Sequence, residues 1–178
     1  MVDASPHRSE AELIAAAVGG DEAAFDALVG PLIEPAYKLA AVMLRNPEEA
    51  RDAVQEACLI AWRKLVQLRA EGSLRPWFLA IVANHCRTLR RTRWWATIRL
   101  PSIRVEPEFA PDVDSDVDLD RAVHKLSTTE RAALFLFFYL DLPLAEVGRI
   151  LKVSPQAAKS RVHRAVVKLR LSMVEVPQ

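Results

Sequence analysis

The sequence contains few of the residues that mark several protein classes. Its 178 residues include five glycines and two cysteines, and Val, Ile and Thr do not alternate with polar residues, which is unfavourable to a β-sheet. The cysteines, Cys58 and Cys86, are too few for a disulfide framework and lack metal-ligand spacing. We therefore expect no metal and no cofactor. We expect both thiols to be free and buried, as in a cytoplasmic protein.

Long apolar runs are also absent. The longest one, from Ala132 to Leu140, has nine residues, about half of what a transmembrane helix needs. The N-terminal segment is acidic and lacks the basic start of a signal peptide. The apolar fraction is nevertheless 51%, which argues against a disordered chain. The sequence predicts a soluble, all-α protein without insertion into a membrane.

The formal net charge of +1 conceals four blocks of like charge. Residues 1–34 hold seven acids and one arginine, and residues 105–120 hold seven acids and no base. Residues 84–104 hold six arginines without an acid, and residues 149–170 hold seven basic residues without an acid. Two basic blocks around an acidic segment indicate two faces that bind a polyanion. For either basic block alone, a merely solvated helix face is the alternative.

Apolar residues recur at three- and four-residue spacing along the first half of the chain, which predicts three helices. Asp21 is the expected N-cap of the first of them, and Asn46 followed by Pro47 begins the second. The third is predicted from about Arg75 and ends in the first arginine block. These helices form a first predicted domain over residues 10–95.

Residues 96–117 contain three prolines and most of the second acidic block, and they show no helical period. We interpret this segment as an acidic, flexible linker. Helical patterning returns over residues 118–173, the second predicted domain. Ser127 and Glu130 there have the spacing of a capping box.

The second domain ends in the plan of a helix-turn-helix. Pro143 opens a short helix, three residues form a turn, and a basic helix begins at Ser154 and Pro155. Gly148 allows the two helices to approach closely. The outer side of the basic helix presents residues suited to base edges in a major groove. These residues are Gln156, Lys159, Ser160, His163 and Arg164. A solvated or partner-binding basic helix is the alternative.

The motifs of both domains resemble those of one known family. The first domain contains GDEAAF at 20–25, PEEA at 47–50, DAVQEA at 52–57 and RPW at 75–77. The second contains LSTTER at 126–131, EVG at 146–148 and KSRVHRA at 159–165. These segments resemble regions 2 and 4 of the extracytoplasmic function (ECF) sigma factors of bacterial RNA polymerase, in the family's order.

The resemblance implies a protein that binds core RNA polymerase and directs promoter-specific initiation. It also implies a stress or environmental response and control by an anti-sigma factor. The exposed face of the second helix would bind the clamp helices of the largest polymerase subunit. The residues implied for this contact are Glu49, Asp52, Gln55 and Glu56. A charged partner suits this polar face, and a solvated face is the alternative.

The third helix and the loop before it would bind the non-template strand of the minus-ten element. The loop around Leu68 to Ser73 would hold a flipped base, whose extrusion costs a few kcal/mol. The residues implied for this contact are Ser73, Arg75, Asn84, Arg87, Arg90 and Arg91. Trp94 and Trp95 are better assigned to covering a core than to stacking on bases.

Region 4 would read the minus-thirty-five element through the outer face of the basic helix, with Arg161 as a phosphate contact. The acidic linker would thread toward the polymerase active centre and the RNA exit path. The sequence departs from the family at Thr88, Cys58 and Lys152. Lys152 replaces the usual glycine of the turn, where a left-handed conformation would cost about 1 kcal/mol.

Three other functions compete with a sigma factor. A sigma-like mimic would sequester an anti-sigma factor without touching DNA, and the two basic blocks argue against it. An ordinary helix-turn-helix repressor would bind duplex operators as a dimer without polymerase. An enzyme is least favoured, because the sequence has no phosphate-binding glycine loop, metal cluster or nucleophile motif.

Overall fold

The computed structural model describes residues 8–68, 73–99 and 122–174, with side chains for all of these except 94–99, 173 and 174. Within these ranges the regular structure is helical and no strand is present. The α-helices are α1 (Glu10–Val18), α2 (Glu22–Leu44), α3 (Pro47–Lys64), α4 (Leu74–Arg99), α5 (Thr128–Leu134), α6 (Leu144–Leu151) and α7 (Pro155–Val174). A 3-10 turn, Leu65–Leu68, follows α3, and a π-helical turn, Phe135–Tyr139, continues α5. The predicted all-α class is confirmed.

The helices begin where the local sequence supplies a cap. The Asp21 carboxylate accepts a hydrogen bond from the Ala24 amide at 3.1 Å, and the Asn46 side chain caps α3 in the same way. Ser127 and Glu130 form a complete capping box at the start of α5. Each of these side chains pairs a backbone donor that the first helical turn leaves free. The predicted helix starts are therefore confirmed.

The N-terminal bundle, α1 to α4, has a core centred on α2. Leu39 and Met43 of α2 and Phe78 and Leu79 of α4 are fully buried, and α3 packs against both helices. By length and composition alone, α2 could cross a membrane. Leu28, Leu39 and Met43, however, lie inside the bundle, so α2 is a core helix. Helix α1, capped by Ser9, was not predicted from the sequence.

Helix α4 continues farther than expected. It ends at Arg99, so residues 96–99 are helical, although they were assigned to the linker. No proline or glycine interrupts the chain before Pro101, and that proline disfavours a helical conformation only at the residue before it. The remainder of the predicted linker, residues 100–117, lies outside the described residues.

Helices α6 and α7 and the turn Lys152–Ser154 form the predicted helix-turn-helix. Ser154 caps α7 by accepting a hydrogen bond from the Ala157 amide at 3.1 Å. The Val153 amide donates to the Gly148 carbonyl at 2.8 Å, which brings the turn against α6. A Cβ atom placed on Gly148 would lie 2.7 Å from the Val153 carbonyl oxygen. The close approach that requires glycine here is confirmed.

Gly148→Ala is expected to destabilise the protein by about 2 kcal/mol, because the added methyl group collides with backbone that cannot rotate away. Urea unfolding followed by circular dichroism measures the change. Gly30→Ala is the matched control, since a Cβ there meets nothing within 4 Å outside its chain neighbours. The helix-propensity gain of up to about 1 kcal/mol is opposed there by crowding of the new Cβ against the ring of Pro31, so the net change in stability should be small. Equal effects of the two substitutions would contradict this account of Gly148.

Lys152 ends α6 in the left-handed conformation, with φ 54° and ψ 50°. A Cβ atom makes this conformation unfavourable, whereas glycine adopts it freely. Lys152→Gly is therefore expected to stabilise the protein by about 1 kcal/mol in urea unfolding. Lys152→Ala retains the Cβ atom and should give no comparable gain. If alanine stabilised as much as glycine, the lysine charge would be the cause and not the backbone.

The C-terminal unit, residues 122–174, packs directly onto the N-terminal bundle. Helix α6 lies against α4, and α5 lies against α2. Buried side chains of both parts join in one hydrophobic cluster. The Arg131 side chain crosses between them and donates to the Val42 carbonyl at 3.1 Å. We call this packing the closed arrangement.

Candidate nucleic-acid interface

Helix α7 separates a buried stripe from a polar outer face. Ala158, Val162 and Ala165 are buried, as the sequence pattern predicts. The polar residues expected to face DNA differ in how exposed their side chains are. Gln156, Lys159, His163 and Arg164 are exposed, whereas Ser160 and Arg161 are half-buried. The N-terminal half of α7 thus presents two cationic side chains, one amide and one imidazole to solvent, which are groups that bind base edges and phosphates.

Glu130 ties α7 to α5. Its carboxylate accepts two hydrogen bonds from the Lys168 ammonium, both at 2.9 Å, and lies 3.9 Å from the Arg164 guanidinium. Burial raises the pKa of Glu130, but the bonds from Lys168 and Ser127 outweigh it and leave the pKa below its usual value. Sequence reasoning assigned Glu130 to the capping box alone. No local signal relates it to Lys168, which is 38 residues away.

Two arginines predicted to contact DNA donate to the C-terminal unit in the closed arrangement. Arg75 donates to the Leu140 carbonyl at 3.0 Å. Both terminal nitrogens of Arg87 lie within 3.5 Å of the Ile150 carbonyl oxygen. Partial burial lowers the pKa of Arg87 from its usual value. The guanidinium groups are thus positioned on α4 but are turned toward backbone oxygens of the C-terminal unit.

Asn84 lies at the edge of a cleft between α3, α4 and the turn of the helix-turn-helix. The cleft has a volume of about 310 Å³. Its walls include Trp77 and Ile81 of α4, and Lys152 closes one side. Asn84 itself is exposed. Trp77 is half-buried against the core while also lining this cleft. The loop expected to hold a flipped base, residues 69–72, lies outside the described residues.

The exposed face of α3 borders an apolar groove. Asp52 and Gln55 are exposed, and Glu56 is half-buried. Beside Gln55, a groove of about 710 Å³ runs between α2 and α3, lined by Ile33, Tyr37 and other side chains. Ile33 is 38% exposed. Sequence reasoning identified the α3 face but not the α2 side of the groove. Ile33 follows the same three- and four-residue spacing as the buried residues of α2, so its sequence position alone indicates a core residue.

Glu49 differs from the other three residues assigned to this face. It forms an ion pair with Arg93 of α4 at 2.8 Å and is half-buried. Its carboxylate therefore links α3 to the arginine-rich half of α4. Arg91 and Ser73 are exposed. Neither side chain forms a hydrogen bond or ion pair with another described residue. The side chains of Trp94 and Trp95 lie outside the described residues.

Comparison with known proteins decides the family. The model for sigma-70 region 2 matches residues 28–96, and the model for sigma-70 region 4 matches residues 116–169. The ECF RNA polymerase sigma factor SigM of Mycobacterium tuberculosis is 33% identical over 163 residues, covering 91% of this chain and 83% of that protein. The chain belongs to the ECF sigma factors of RNA polymerase.

Other relatives agree with this family. The RNA polymerase sigma factor SigV of Bacillus subtilis is 26% identical over 140 residues, which cover 78% of this chain and 84% of that protein. Two solved sigma factors share the fold. RpoE of Bartonella quintana, in complex with the anti-sigma factor NepR, has a TM-score of 0.75 at 20% identity and covers 86% of this chain and 98% of its own. CnrH, in complex with the cytosolic domain of CnrY, has a TM-score of 0.68 at 24% identity, with coverages of 92% and 97%.

Sigma factors bind core RNA polymerase and promoter DNA, and these are the partners of this chain. The helix-turn-helix of α6 and α7 falls within the matched region 4, and α3 and most of α4 fall within the matched region 2. In this sigma factor the two regions contact each other through α4 and α6. The closed arrangement therefore places region 4 over part of the helix that resembles the minus-ten binding helix.

The cysteines of the sigma factor are free, as expected, but Cys58 is half-buried, so the expectation that both are buried is wrong for Cys58. Cys86 is buried in the core, and burial raises the pKa of its thiol to about 12. Burial and the nearby Asp26 also raise the pKa of Cys58. Since the thiolate is the reactive form, burial and the raised pKa make Cys86 poorly suited to redox sensing. Among the described residues, no cluster of His, Cys, Asp or Glu could hold a metal ion.

Proposed function

We propose that this sigma factor reads the minus-thirty-five element with α7 and captures the minus-ten strand with α4. The observation that supports the assignment most directly is the exposed N-terminal half of α7. Gln156, Lys159, Ser160, His163 and Arg164 would contact base edges, and Arg161 would contact phosphate. The link from Glu130 to Lys168 would fix α7 on α5, so that the outer face is presented as a rigid surface.

Polymerase binding is assigned to the α3 face together with the α2–α3 groove. Asp52, Gln55 and Glu56 would contact charged and polar groups of the clamp helices, with Glu49 at the edge of the contact. The groove between Ile33 and Gln55 would take apolar side chains of the same partner. Proteins usually bind an amphipathic helix by taking its apolar face into such a groove, while polar residues beside the groove contact its polar face. The two features together support a helical partner more strongly than the charges do alone.

Capture of the minus-ten strand requires the closed arrangement to open. Arg75 and Arg87 would exchange the Leu140 and Ile150 carbonyls for phosphate oxygens, which are charged and therefore stronger acceptors. Asn84 would contact an unstacked base, and its cleft would be uncovered when Lys152 moves away. Ser73, Arg90 and Arg91 would extend the same surface along the strand. Residues 10–95 and 118–173 are the proposed domains, joined by an acidic linker.

We further propose that an anti-sigma factor controls this protein in the cytoplasm and that its own role is non-catalytic. Region 4 exposes Phe138 at 63% and Tyr139 at 56% of their surface. Large exposed apolar side chains that lie together are typical of a surface covered by another protein. Phe138 also contacts Phe137 edge to face. A partner on this surface would leave the hydrogen bonds of Arg75 and Arg87 intact and so maintain the closed arrangement.

Transcription in vitro with core enzyme, this chain and fragments of the genome tests the function. Sequencing of the transcripts should reveal start sites preceded by two shared elements, one near minus ten and one near minus thirty-five. Absence of transcripts from every fragment would contradict a sigma factor and favour the mimic. Duplex binding as a dimer, without polymerase, would favour a repressor.

A further inference from the structure

A buried carboxylate, that of Glu130, lies against the basic helix α7. The Glu130 side chain is 6% exposed and belongs to the first turn of α5. It meets two cations of α7 that are four residues apart, Arg164 and Lys168, whose side chains are 61% and 48% exposed. One buried negative charge is thus shared by two side chains of the helix proposed to read the minus-thirty-five element.

Glu130 engages these two cations unequally. Both of its oxygens accept hydrogen bonds from the Lys168 ammonium at 2.9 Å. The Arg164 Nε lies 3.9 Å from the carboxylate, which is too long for a hydrogen bond. Charge-assisted bonds to a buried carboxylate are strong and are screened little by salt. The charge of Lys168 is therefore engaged within the protein, whereas Arg164 is attracted toward α5 and keeps its donors for a base.

Ser127 fixes the Glu130 carboxylate independently of α7. The Ser127 amide and hydroxyl each donate to a Glu130 oxygen at 2.9 Å, as part of the capping box of α5. A glutamine at this position of a capping box accepts the same bonds with its amide oxygen. The cap and the charge of Glu130 are therefore separable, and Glu130→Gln removes the charge while it retains the cap.

We propose that the charge of Glu130 determines how well α7 distinguishes its promoter element from other DNA. Non-specific binding depends on the number of phosphates that lysines and arginines neutralise, so Lys168 contributes little to it while it is paired with Glu130. Base readout depends on the position of a side chain. Arg164, attracted to a fixed carboxylate, loses less conformational freedom when it binds a base. The inference rests on the proposed reading of the minus-thirty-five element by α7.

A purely structural role of Glu130 would have a different signature. Loss of a residue that only supports α7 on α5 would misplace the whole helix and weaken binding to every duplex. Loss of the Glu130 charge should instead release Lys168 to bind a phosphate and leave Arg164 less restrained. The affinity for unrelated DNA should then rise while the affinity for the promoter falls.

Fluorescence anisotropy with the full chain and two labelled duplexes tests this role. One duplex carries the minus-thirty-five element from the mapped start sites, and the other carries the same bases in scrambled order. In Glu130→Gln we expect about threefold tighter binding to the scrambled duplex and about threefold weaker binding to the promoter duplex, the usual worth of one exposed charge contact each. For the scrambled duplex, the slope of log affinity against log salt concentration should steepen by about one. An unchanged ratio of the two affinities, or an equal loss for both duplexes, would overturn the proposal.

Glu12→Gln is the matched control. Glu12 forms the same capping box with Ser9 at the start of α1, and α1 packs against α2 and the 3-10 turn. The substitution removes the same charge from the same kind of cap, so the ratio of the two affinities should not change. Circular dichroism should show that both variants retain their helices. If Glu12→Gln changed the ratio as much as Glu130→Gln, net charge would be the cause and the proposal would fail.

A charge-neutral double variant identifies the released cation. Glu130→Gln combined with Lys168→Gln removes the carboxylate together with its partner and leaves the net charge unaltered. Binding to the scrambled duplex and its salt dependence should return to those of the original chain. If the double variant kept the tighter binding, Lys168 would not be the released cation, and this account of Glu130 would be wrong.

The original chain distinguishes failure of this inference from failure of the proposed function. Equal affinity of the original chain for the promoter and scrambled duplexes would contradict base readout by α7 itself. A preference for the promoter duplex that Glu130→Gln retained in full would overturn only the role of the Glu130 charge.

Discussion

Lys159→Ala combined with Arg164→Ala is expected to weaken binding to the minus-thirty-five duplex by about 100-fold or more. Both side chains are exposed on the N-terminal half of α7, where a recognition helix faces the base edges. A well-placed cationic contact to a base contributes about 1–3 kcal/mol, so the loss of two costs about 2–6 kcal/mol, or roughly 30-fold to more than 10,000-fold, and the middle of this range exceeds 100-fold. Fluorescence anisotropy with the full chain and a labelled duplex, at one fixed salt concentration, measures the affinity. The duplex sequence comes from the mapped start sites.

Arg170→Ala is the matched control on the same helix. Arg170 is exposed but lies toward the C-terminal end of α7, beyond the residues expected to enter the groove. Its loss should reduce the affinity only a few-fold and equally for all sequences, as expected for a phosphate contact. If Arg170→Ala weakened binding as much as the double substitution, α7 would attract DNA by total charge. The assignment of base contacts to its N-terminal half would then be wrong.

Asp52→Lys combined with Glu56→Lys is expected to reduce the affinity for core RNA polymerase by about 100-fold or more. These carboxylates lie one turn apart on α3, beside Gln55 and the apolar groove. Reversal of two charges replaces attraction by repulsion at the proposed contact, and juxtaposed like charges cost several kcal/mol. Both side chains point away from the core stripe of α3, so the bundle should remain folded. Competition against a labelled sigma factor for core enzyme measures the affinity.

Glu22→Lys provides the corresponding charge reversal away from the contact. Glu22 is exposed in the first turn of α2, where the loss of a negative charge costs only about 0.3–1 kcal/mol of helix stability. Polymerase affinity should remain within a few-fold of the original. Equal losses for both reversals would indicate a general electrostatic attraction. The α3 face would then have no special role.

The sequence predicted those features that depend on neighbouring residues. Asp21, Asn46, Ser127 and Ser154 each cap a helix within three residues of themselves, so their role is visible in a short window. Gly148 was identified for the same reason, since the turn that approaches it lies five residues ahead. The fold class and most helix starts followed from such local signals. The end of α4 was missed because its last turn carries no cap that a short window would show.

Contacts between distant segments were not predictable in this way. Arg131 reaches the Val42 carbonyl across 89 residues of sequence, and a backbone carbonyl has no side-chain identity that could mark it as an acceptor. The same holds for Arg75 and Leu140, which are 65 residues apart. Sequence reasoning assigned Arg75 to promoter DNA through the family resemblance and gave Arg131 no partner. The closed arrangement could therefore only be found in three dimensions.

The hydrogen-bond acceptors of Arg75 and Arg87 make the closed arrangement tolerant of substitutions in region 4. Both acceptors are main-chain oxygens, so no side-chain replacement at Leu140 or Ile150 removes them directly. Substitutions in region 4 should therefore rarely separate it from α4 by removing a hydrogen-bond acceptor of Arg75 or Arg87. Replacement of Arg87 itself would favour release but would also remove a proposed phosphate ligand, and the two effects on transcription oppose each other. Constitutively open variants should arise instead from packing defects between α4 and α6.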